Sequence, residues 1–299
     1  MLRKNWSRQM PLHIMVLPAL LLVLVFSYGP IAGLVIAFQK YSIVKGIRGS
    51  DWIGWDNFRY VFALPGTIDV VWNTVFIAFL KIAAGLFAPI VTALLLNEVR
   101  IEFVKRGVQT LIYLPHFLSW IILGGILIDI LSPSNGIVNQ MLGAFGIEPI
   151  FFLGDNRWFP YLLVLSDVWK EFGFSTIVYL AALTNINPTL YEAAVVDGAG
   201  RWKQTLNVTL PGMLPIIILM STLSLGNVLN AGFDQVFNLY SPQVYESGDI
   251  IDTLVYRLGL VDAQYAVATA MGMFKSAVSV LFVSLSYYLA YRLANYRIF

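Results

Sequence analysis

Long apolar stretches alternate with polar segments along the whole chain. A helix that crosses a bilayer needs about 20 mainly apolar residues, and six stretches meet this requirement. They cover roughly residues 12–38, 70–97, 108–131, 161–184, 213–234 and 265–291. The pattern predicts an all-α integral membrane protein with six transmembrane helices, organised as one transmembrane domain over residues 1–299.

The composition agrees with a membrane protein and excludes some kinds of functional site. Hydrophobic residues make up 58% of the chain and charged residues 12%, with a mean hydropathy of +0.74, whereas soluble domains are about 25% charged. The chain has no cysteine, which excludes disulfides and thiolate metal sites. His13 and His116 are too far apart in sequence to suggest a metal pair. We therefore expect no catalytic residue, no metal site and no nucleic-acid partner.

The distribution of lysine and arginine predicts the orientation. We expect the first stretch to be an uncleaved signal anchor, because its apolar run is too long for a signal peptide. With the N-terminus inside, the inner segments carry more basic residues than the longer outer loops, which places both termini in the cytoplasm. The inner basic residues are Arg3, Lys4, Arg8, Arg100, Lys105, Arg106, Arg201, Lys203, Arg292 and Arg297.

Two outer segments, residues 137–145 and 249–260, have the pattern of short amphipathic helices lying along the outer surface. Such helices could serve as membrane anchors or as a docking surface for an external binding protein. The sequence leaves both alternatives open.

A polar segment at residues 187–211 joins the fourth and fifth predicted spans. Asn187 is a suitable N-cap for a short helix that begins at Pro188. Gly198 and Gly200 are expected to end that helix through positive φ angles. A second short helix around residues 202–208 would end at Leu210-Pro211. A simple solvated loop helix is the alternative to a functional elbow.

The spacing within this segment resembles the EAA loop of binding-protein-dependent ABC importer permeases. Glu192-Ala193-Ala194 is followed after three residues by Gly198, and after nine more by Val208 and then Leu210-Pro211. The family more often has Ile where Val208 stands. The resemblance implies a cytoplasmic coupling helix that docks in a cleft of an ATP-hydrolysing subunit. The expected coupling residues are Glu192, Ala193, Ala194, Asp197, Gly198, Ala199, Leu210 and Pro211.

Other segments resemble the LplB-like branch of carbohydrate importer permeases, which are similar to maltose-type permeases. They are residues 113–120, 166–171, 225–235 and 249–253. The resemblance implies a type I ABC importer permease fold in the cytoplasmic membrane of a bacterium. It also implies import of oligosaccharides, including acidic ones such as alginate or pectin fragments.

The same resemblance implies a set of partners. They are a second homologous permease subunit, two ATPase subunits, an extracytoplasmic solute-binding protein, an oligosaccharide substrate and the lipid membrane. This chain is expected to bind no cofactor itself, because ATP and Mg would belong to the partner ATPase.

Charged residues inside predicted spans are candidates for a substrate pathway, because they are costly in a membrane. Lys81, Lys170 and Lys275 each lie near the estimated midplane of a different span, and Asp167 and Glu171 flank Lys170. The functional interpretation is a pathway with a net positive lining that favours acidic oligosaccharides. Ion pairing between helices is the alternative.

Polar and aromatic residues add to this candidate pathway. Asn227, Asn230 and Asp234 have the spacing of one helical face. Amide side chains suit sugar hydroxyls because they both donate and accept hydrogen bonds, and Trp169 and Phe233 could stack on sugar rings. Polar contacts between helices are the alternative.

Two other classes of function are alternatives to an ABC permease. A secondary transporter driven by an ion gradient would show inverted repeats with broken helices, which are not evident. An intramembrane enzyme would need a nucleophile with its base or a metal motif, and none stands out. The chain lacks the G-x-x-x-x-G-K-[ST] motif, so a separate ATPase is expected.

Overall fold

The structure is a computed structural model that describes the backbone of residues 2–294 and the side chains of residues 10–288 and 292. The topological prediction for Arg297 falls outside the described residues. The side chains of Arg3, Lys4 and Arg8 also lie outside them.

The described part of the chain is mainly helical, as predicted. Its helices are α1 (Leu2–Val23), α2 (Gly46–Gly49), α3 (Asp56–Ala63), α4 (Thr67–Glu98), α5 (Glu102–Tyr113), α6 (Trp120–Ile130), α7 (Ile137–Ala144), α8 (Phe159–Thr184), α9 (Pro188–Val196), α10 (Arg201–Gln204), α11 (Leu210–Gly226), α12 (Phe233–Leu239), α13 (Tyr245–Gly248), α14 (Ile251–Tyr256) and α15 (Tyr265–Ala294). Wider or tighter helical turns occupy Leu24–Tyr28, Gly29–Phe38, Leu114–Phe117, Thr205–Thr209, Pro242–Val244 and Arg257–Val261. The two short strands are β1 (Gln39–Lys40) and β2 (Asp51–Trp52).

The chain divides into two compact units, of which the first comprises residues 1–65 and 255–274. Within it, β1 and β2 pair antiparallel, with Gln39 opposite Trp52. The buried Asn57 side chain donates hydrogen bonds to the carbonyl oxygens of Ala37 and Gln39, at 2.8 and 2.9 Å. An amide that satisfies two backbone carbonyls in this way fixes the start of α3 against the end of the first predicted span.

The second unit comprises residues 66–254 and 275–299, and the packing of α4 against α8 dominates it. Ile77 of α4 and Phe159 and Leu163 of α8 are fully buried together with Val236 of α12. A second apolar cluster, around Tyr179 and Met213, joins the other end of α8 to α11. These clusters hold the helices that carry both candidate sites.

Four helical segments of the described chain are long and apolar enough to cross a membrane, and they are Met10–Phe38, Thr67–Glu98, Arg201–Gly226 and Tyr265–Tyr288. A bent pair, Glu102–Phe117 with Trp120–Ile130, would add a fifth. The 26-residue α8 contains Asp167, Lys170 and Glu171, which lower its apolar character. Its length of about 39 Å still exceeds a hydrocarbon core of about 30 Å. Six spans therefore remain the prediction.

The third predicted span is not one straight helix. The chain bends by 104° between Glu102–Phe117 and Trp120–Ile130. Pro115 lies in the tight turn before the bend, and the Ser119 side chain then accepts a hydrogen bond from the Ile122 amide, at 3.4 Å, to cap α6. The prediction of a continuous helix over 108–131 is wrong because apolar content alone does not reveal a new N-cap.

The fifth predicted span ends earlier than residue 234. α11 ends at Gly226, and α12 begins at Phe233 after an irregular segment. Gly232 has a φ angle of +92°, which residues other than glycine rarely adopt. Asn227, Asn230 and Asp234 therefore do not share one helical face, contrary to the prediction.

Two further local predictions are corrected. The segment after Gly200 is a continuous helical rod from Arg201 through Thr209 into α11, so no second short helix ends at Leu210-Pro211. Pro211 lies inside this rod and lacks the amide for a bond to the preceding turn, and the wide turn Thr205–Thr209 lies just before it. Ile250, Ile251 and Leu254 are buried, which contradicts a surface helix over residues 249–260.

Candidate coupling loop and substrate cavities

Backbone hydrogen bonds define both ends of α9. The Asn187 side chain accepts a hydrogen bond from the Thr189 amide at 3.1 Å, as predicted for an N-cap. At the other end, the Ala199 amide donates to the Ala194 carbonyl at 2.8 Å and the Gly198 amide to the Val195 carbonyl at 3.0 Å. Gly198 has φ +74, which completes a Schellman motif. Gly200 has φ −67 and is the N-cap of α10, so the predicted positive φ is wrong there.

α9 is fixed to the helix that follows it. The Tyr191 hydroxyl lies 3.0 Å from the Thr209 hydroxyl, and the Gln204 side chain donates to the Ala199 carbonyl at 2.8 Å. Tyr191 and Val208 also pack on the apolar cluster around Tyr179. α9 is therefore a short helix held rigidly against α11, which is suited to transmit a displacement.

The predicted coupling residues separate into an exposed group and a structural group. Glu192, Ala193, Asp197 and Gly198 are exposed, and Ala194 and Ala199 are half-buried behind them. Leu210 and Pro211 belong to the first turn of α11. The first six can contact a partner, whereas the last two set the start of a membrane helix.

Sequence reasoning missed the apolar part of this surface. Val196 is 87% exposed and Trp202 is 74% exposed. Trp202 lines an apolar cavity of about 350 Å³ beside Leu94, Leu95 and the Arg201–Glu98 ion pair. The available signal was that Val196 and Trp202 both lie within the predicted coupling loop, because large apolar side chains exposed in a loop favour a protein contact.

Seven of the ten candidate substrate residues line two cavities of the second unit. The first, which we call the Lys81 cavity, has a volume of about 310 Å³. It is lined by Ala78, Lys81, Ile82, Gly85, Asp167, Ser224, Asn227, Asn230 and Gly232. Four of the predicted pathway residues, Lys81, Asp167, Asn227 and Asn230, therefore share one wall. The amides and the Ser224 hydroxyl give it the hydrogen-bonding capacity that sugars require.

The second cavity, which we call the Trp120 cavity, has a volume of about 510 Å³. It is lined by Leu118, Ser119, Trp120, Ile121, Lys170, Phe233, Asp234, Phe237 and Asn238. The Phe233 and Phe237 rings stack with centroids 5.2 Å apart. Aromatic faces beside a carboxylate and an amide are a suitable lining for a carbohydrate. The predicted residues Lys170, Phe233 and Asp234 belong here.

Lys170 belongs to a buried polar cluster at the bend of the third span. Its ammonium donates to the His116 carbonyl at 2.8 Å and to Glu171 Oε1 at 3.0 Å, and it lies 5.8 Å from the centre of the Trp120 ring. The other oxygen of Glu171 lies 2.7 Å from His116 Nδ1. Sequence reasoning excluded His116 only as part of a metal pair and missed this contact, although His116 lies within the segment 113–120.

The prediction of a shared, positively charged lining is corrected by these contacts. Lys81 lies 3.3 Å from Asp167, Lys170 lies 3.0 Å from Glu171, and Lys275 pairs with Asp252. Lys275 lines neither cavity, and Trp169 is 43% exposed outside both. Each lysine charge is thus balanced locally, because leaving a charge unpaired in a membrane is costly. Within the described residues, no group of His, Asp and Glu side chains could hold a metal ion.

Comparison with known proteins identifies the class to which this architecture belongs. Residues 85–298 match the family described as "Binding-protein-dependent transport system inner membrane component". The polygalacturonan/rhamnogalacturonan transport system permease protein YteP of Bacillus subtilis is 42% identical over 95% of this chain and 88% of the relative. Protein LplB of the same species is 39% identical over 93% of this chain and 88% of the relative.

A solved structure shows the same fold. It is a bacterial ABC transporter involved in the import of the acidic polysaccharide alginate, and the match has a TM-score of 0.90 at 40% identity, covering 97% of this chain and 98% of the other. The fold and the polar cavities thus define a multi-pass membrane subunit of the type I importer class. The chain belongs to the family of inner-membrane components of binding-protein-dependent transport systems. It is an ABC importer permease rather than a secondary transporter.

Proposed function

We propose that this permease moves acidic oligosaccharides into the bacterial cytoplasm, driven by ATP hydrolysis in partner subunits. The proposed coupling to ATP hydrolysis rests on the exposed helix α9. This helix ends in a Schellman motif and is fixed to the start of α11 by the Tyr191–Thr209 contact. A rigid helix with an exposed carboxylate and small side chains can seat in a cleft of a partner. Glu192 and Asp197 provide charges at that contact.

The substrate class is supported by the relatives and by the cavities. YteP is named for polygalacturonan and rhamnogalacturonan, and a matched transporter structure contains a periplasmic protein bound to an alginate pentasaccharide. Both cavities carry amides or aromatic rings beside charged side chains. Because their lysines are paired, we assign recognition of the sugar to these neutral groups. We assign selection for acidic substrates mainly to the external binding protein.

The working complex in this proposal contains four partner proteins: a second homologous permease, two ATPase subunits and an extracytoplasmic solute-binding protein. Its ligands are the oligosaccharide and, in the ATPase subunits, ATP and Mg. The exposed loop carrying α9 faces the cytoplasm, together with both termini. A matched transporter structure in complex with its periplasmic protein supports the presence of an external binding partner.

The direct test reconstitutes the complex in vesicles that contain ATP. We expect uptake of a short oligouronate that requires both ATP and the binding protein. A neutral oligosaccharide of equal length is the matched control and should be taken up much more slowly. Equal uptake of the two sugars would remove the acidic specificity, and uptake without ATP would contradict an ATP-driven importer.

A second test addresses the coupling loop alone. Glu192→Lys should leave the permease in the membrane but abolish the stimulated ATP hydrolysis of the assembled complex. Lys203→Glu, a charge reversal on the adjacent exposed α10, is the matched control. Normal stimulation by the Glu192 variant would contradict the assignment of α9 as the coupling helix.

A further inference from the structure

A buried lysine lies at the point where the fifth predicted span is interrupted. Lys81 is 9% exposed, and its ammonium donates to the Ala231 carbonyl at 2.7 Å. It also donates to the Gln235 side-chain oxygen and to Asp167 Oδ1, the latter at 3.3 Å. Ala231 lies inside the irregular segment 227–232, and Gln235 lies in α12, which follows it. One ammonium group therefore contacts both the irregular segment and the helix after it.

Gln235 extends this contact to α8. Its side chain is fully buried, and its amide nitrogen donates to the Leu163 carbonyl and to the Ser166 hydroxyl, each at 2.8 Å. The network thus connects α4, α8 and the start of α12, and each polar group named here has a hydrogen-bond partner. Such buried networks specify a unique arrangement when every member is paired.

The geometry points to Lys81 as a positioning residue for oligosaccharide passage. We infer that it holds the irregular segment 227–232 in place, so that Asn227 and Asn230 line the Lys81 cavity. This inference rests on the proposed function and adds a residue that need not contact the sugar. The ammonium is directed into the protein, towards a carbonyl and a carboxamide.

Gly232 shows how closely the segment and the lysine fit. A Cβ atom at this position would lie 2.9 Å from the Lys81 nitrogen, which is too short for a normal contact. The φ of +92 would also strain any other residue. Glycine therefore allows both the turn and the approach of the ammonium. Gly232→Ala should disturb the contact between the ammonium and the segment without changing any charge.

The test separates positioning from charge neutralisation. Lys81→Met leaves Asp167 unpaired, whereas Lys81→Met with Asp167→Asn removes both charges and should restore most of the stability. The quantity measured is ATP hydrolysed per oligosaccharide delivered by the complete reconstituted complex. A misfolded fraction lowers both quantities in proportion and leaves this ratio unchanged.

We expect the double variant to melt at a higher temperature than Lys81→Met but below the wild type, because Ala231 and Gln235 still lack their donor. Its ratio should rise about fivefold if ATP hydrolysis continues while delivery slows, since the loss of one hydrogen bond worth about 1 kcal/mol slows that step by roughly this factor. Gly232→Ala should raise the ratio in the same way. Thr92→Val is the control on the same helix, because its hydroxyl bonds to the Ala88 carbonyl within α4, at 2.8 Å. Its ratio should equal that of the wild type.

Two results would overturn the inference. One is a wild-type ratio of ATP hydrolysed to oligosaccharide delivered in the double variant, which would show that Lys81 serves only as the counter-ion of Asp167. The other is a wild-type ratio in Gly232→Ala, which would show that the position of the segment does not matter for delivery. Failure of the wild-type complex to deliver any oligosaccharide would instead contradict the proposed function, so the two failures are distinct.

Discussion

Lysine side chains within the predicted spans carry their own counter-charges. Lys81, Lys170 and Lys275 each contact a carboxylate from the same or a neighbouring helix. A buried ion pair adds little net stability, but removing one member leaves an uncompensated charge. At the residue scale, replacing one member of a pair should therefore lower the stability much more than replacing both members.

The Lys275–Asp252 pair allows this to be measured away from both cavities. Both side chains are 22% exposed, so Lys275→Met should reduce the free energy of unfolding by about 1–3 kcal/mol through the unpaired Asp252. Lys275→Met with Asp252→Asn should recover most of that loss. The check is thermal melting of the purified permease for both single variants and the double variant. Additive losses in the double variant would contradict the pairing.

Gly198 and Gly200 give a matched pair of substitutions in the coupling loop. Gly198→Val places a branched side chain at φ +74, which costs about 1–3 kcal/mol of backbone strain. Gly200→Ala meets no atom within 4 Å and has φ −67. We expect stimulated ATP hydrolysis to fall at least several-fold in the first variant and to stay near the wild-type rate in the second. Equal rates would show that the Schellman turn is not needed for coupling.

At the scale of elements, the apolar periodicity located the helices but not their interruptions. The start of α9 at Asn187-Pro188 and its end at Gly198 follow local rules, and both were predictable. The break before Phe233 was not, because its stabilising partner, Lys81, lies 150 residues from Ala231 in sequence. The lysine partners also depend on tertiary packing, as the separation of 86 residues between Lys81 and Asp167 shows.

The close packing of α5 against α8 likewise could not be predicted from the sequence. A Cβ atom on Gly173 of α8 would lie 1.9 Å from the Ile112 carbonyl oxygen of α5. Gly173→Ala must therefore push the two helices apart, at a cost of about 1–3 kcal/mol or more. We expect a lower melting temperature and less assembled complex.

Gly125→Ala is the control for that prediction, because a Cβ atom there meets nothing within 4 Å. Its melting temperature should match or slightly exceed that of the wild type, since alanine favours helix over glycine. Equal stability of the Gly173 and Gly125 variants would contradict the close approach of α5 and α8.

At the scale of the whole molecule, the topology depends on whether α8 crosses the membrane. Its length is sufficient, but Asp167, Lys170 and Glu171 lie in its middle. The structure offers a reason why the bilayer can accept them, because Asp167 pairs with Lys81 and Glu171 pairs with Lys170 within the protein. A charged helix with such partners can span a membrane when its polar face is directed towards other helices.

Cysteine labelling can decide this point, because the native chain has no cysteine. Gly143 precedes α8 and is exposed, and Val196 follows it and is 87% exposed. If α8 spans the membrane with α9 inside, a cysteine at position 143 reacts with a membrane-impermeant maleimide in intact cells. A cysteine at position 196 then reacts only after the membrane is opened. The basic residues Arg100, Lys105, Arg106, Arg201 and Lys203 favour this orientation. Labelling of both cysteines from outside would place α8 on one side of the membrane and would remove α9 from the reach of a cytoplasmic ATPase.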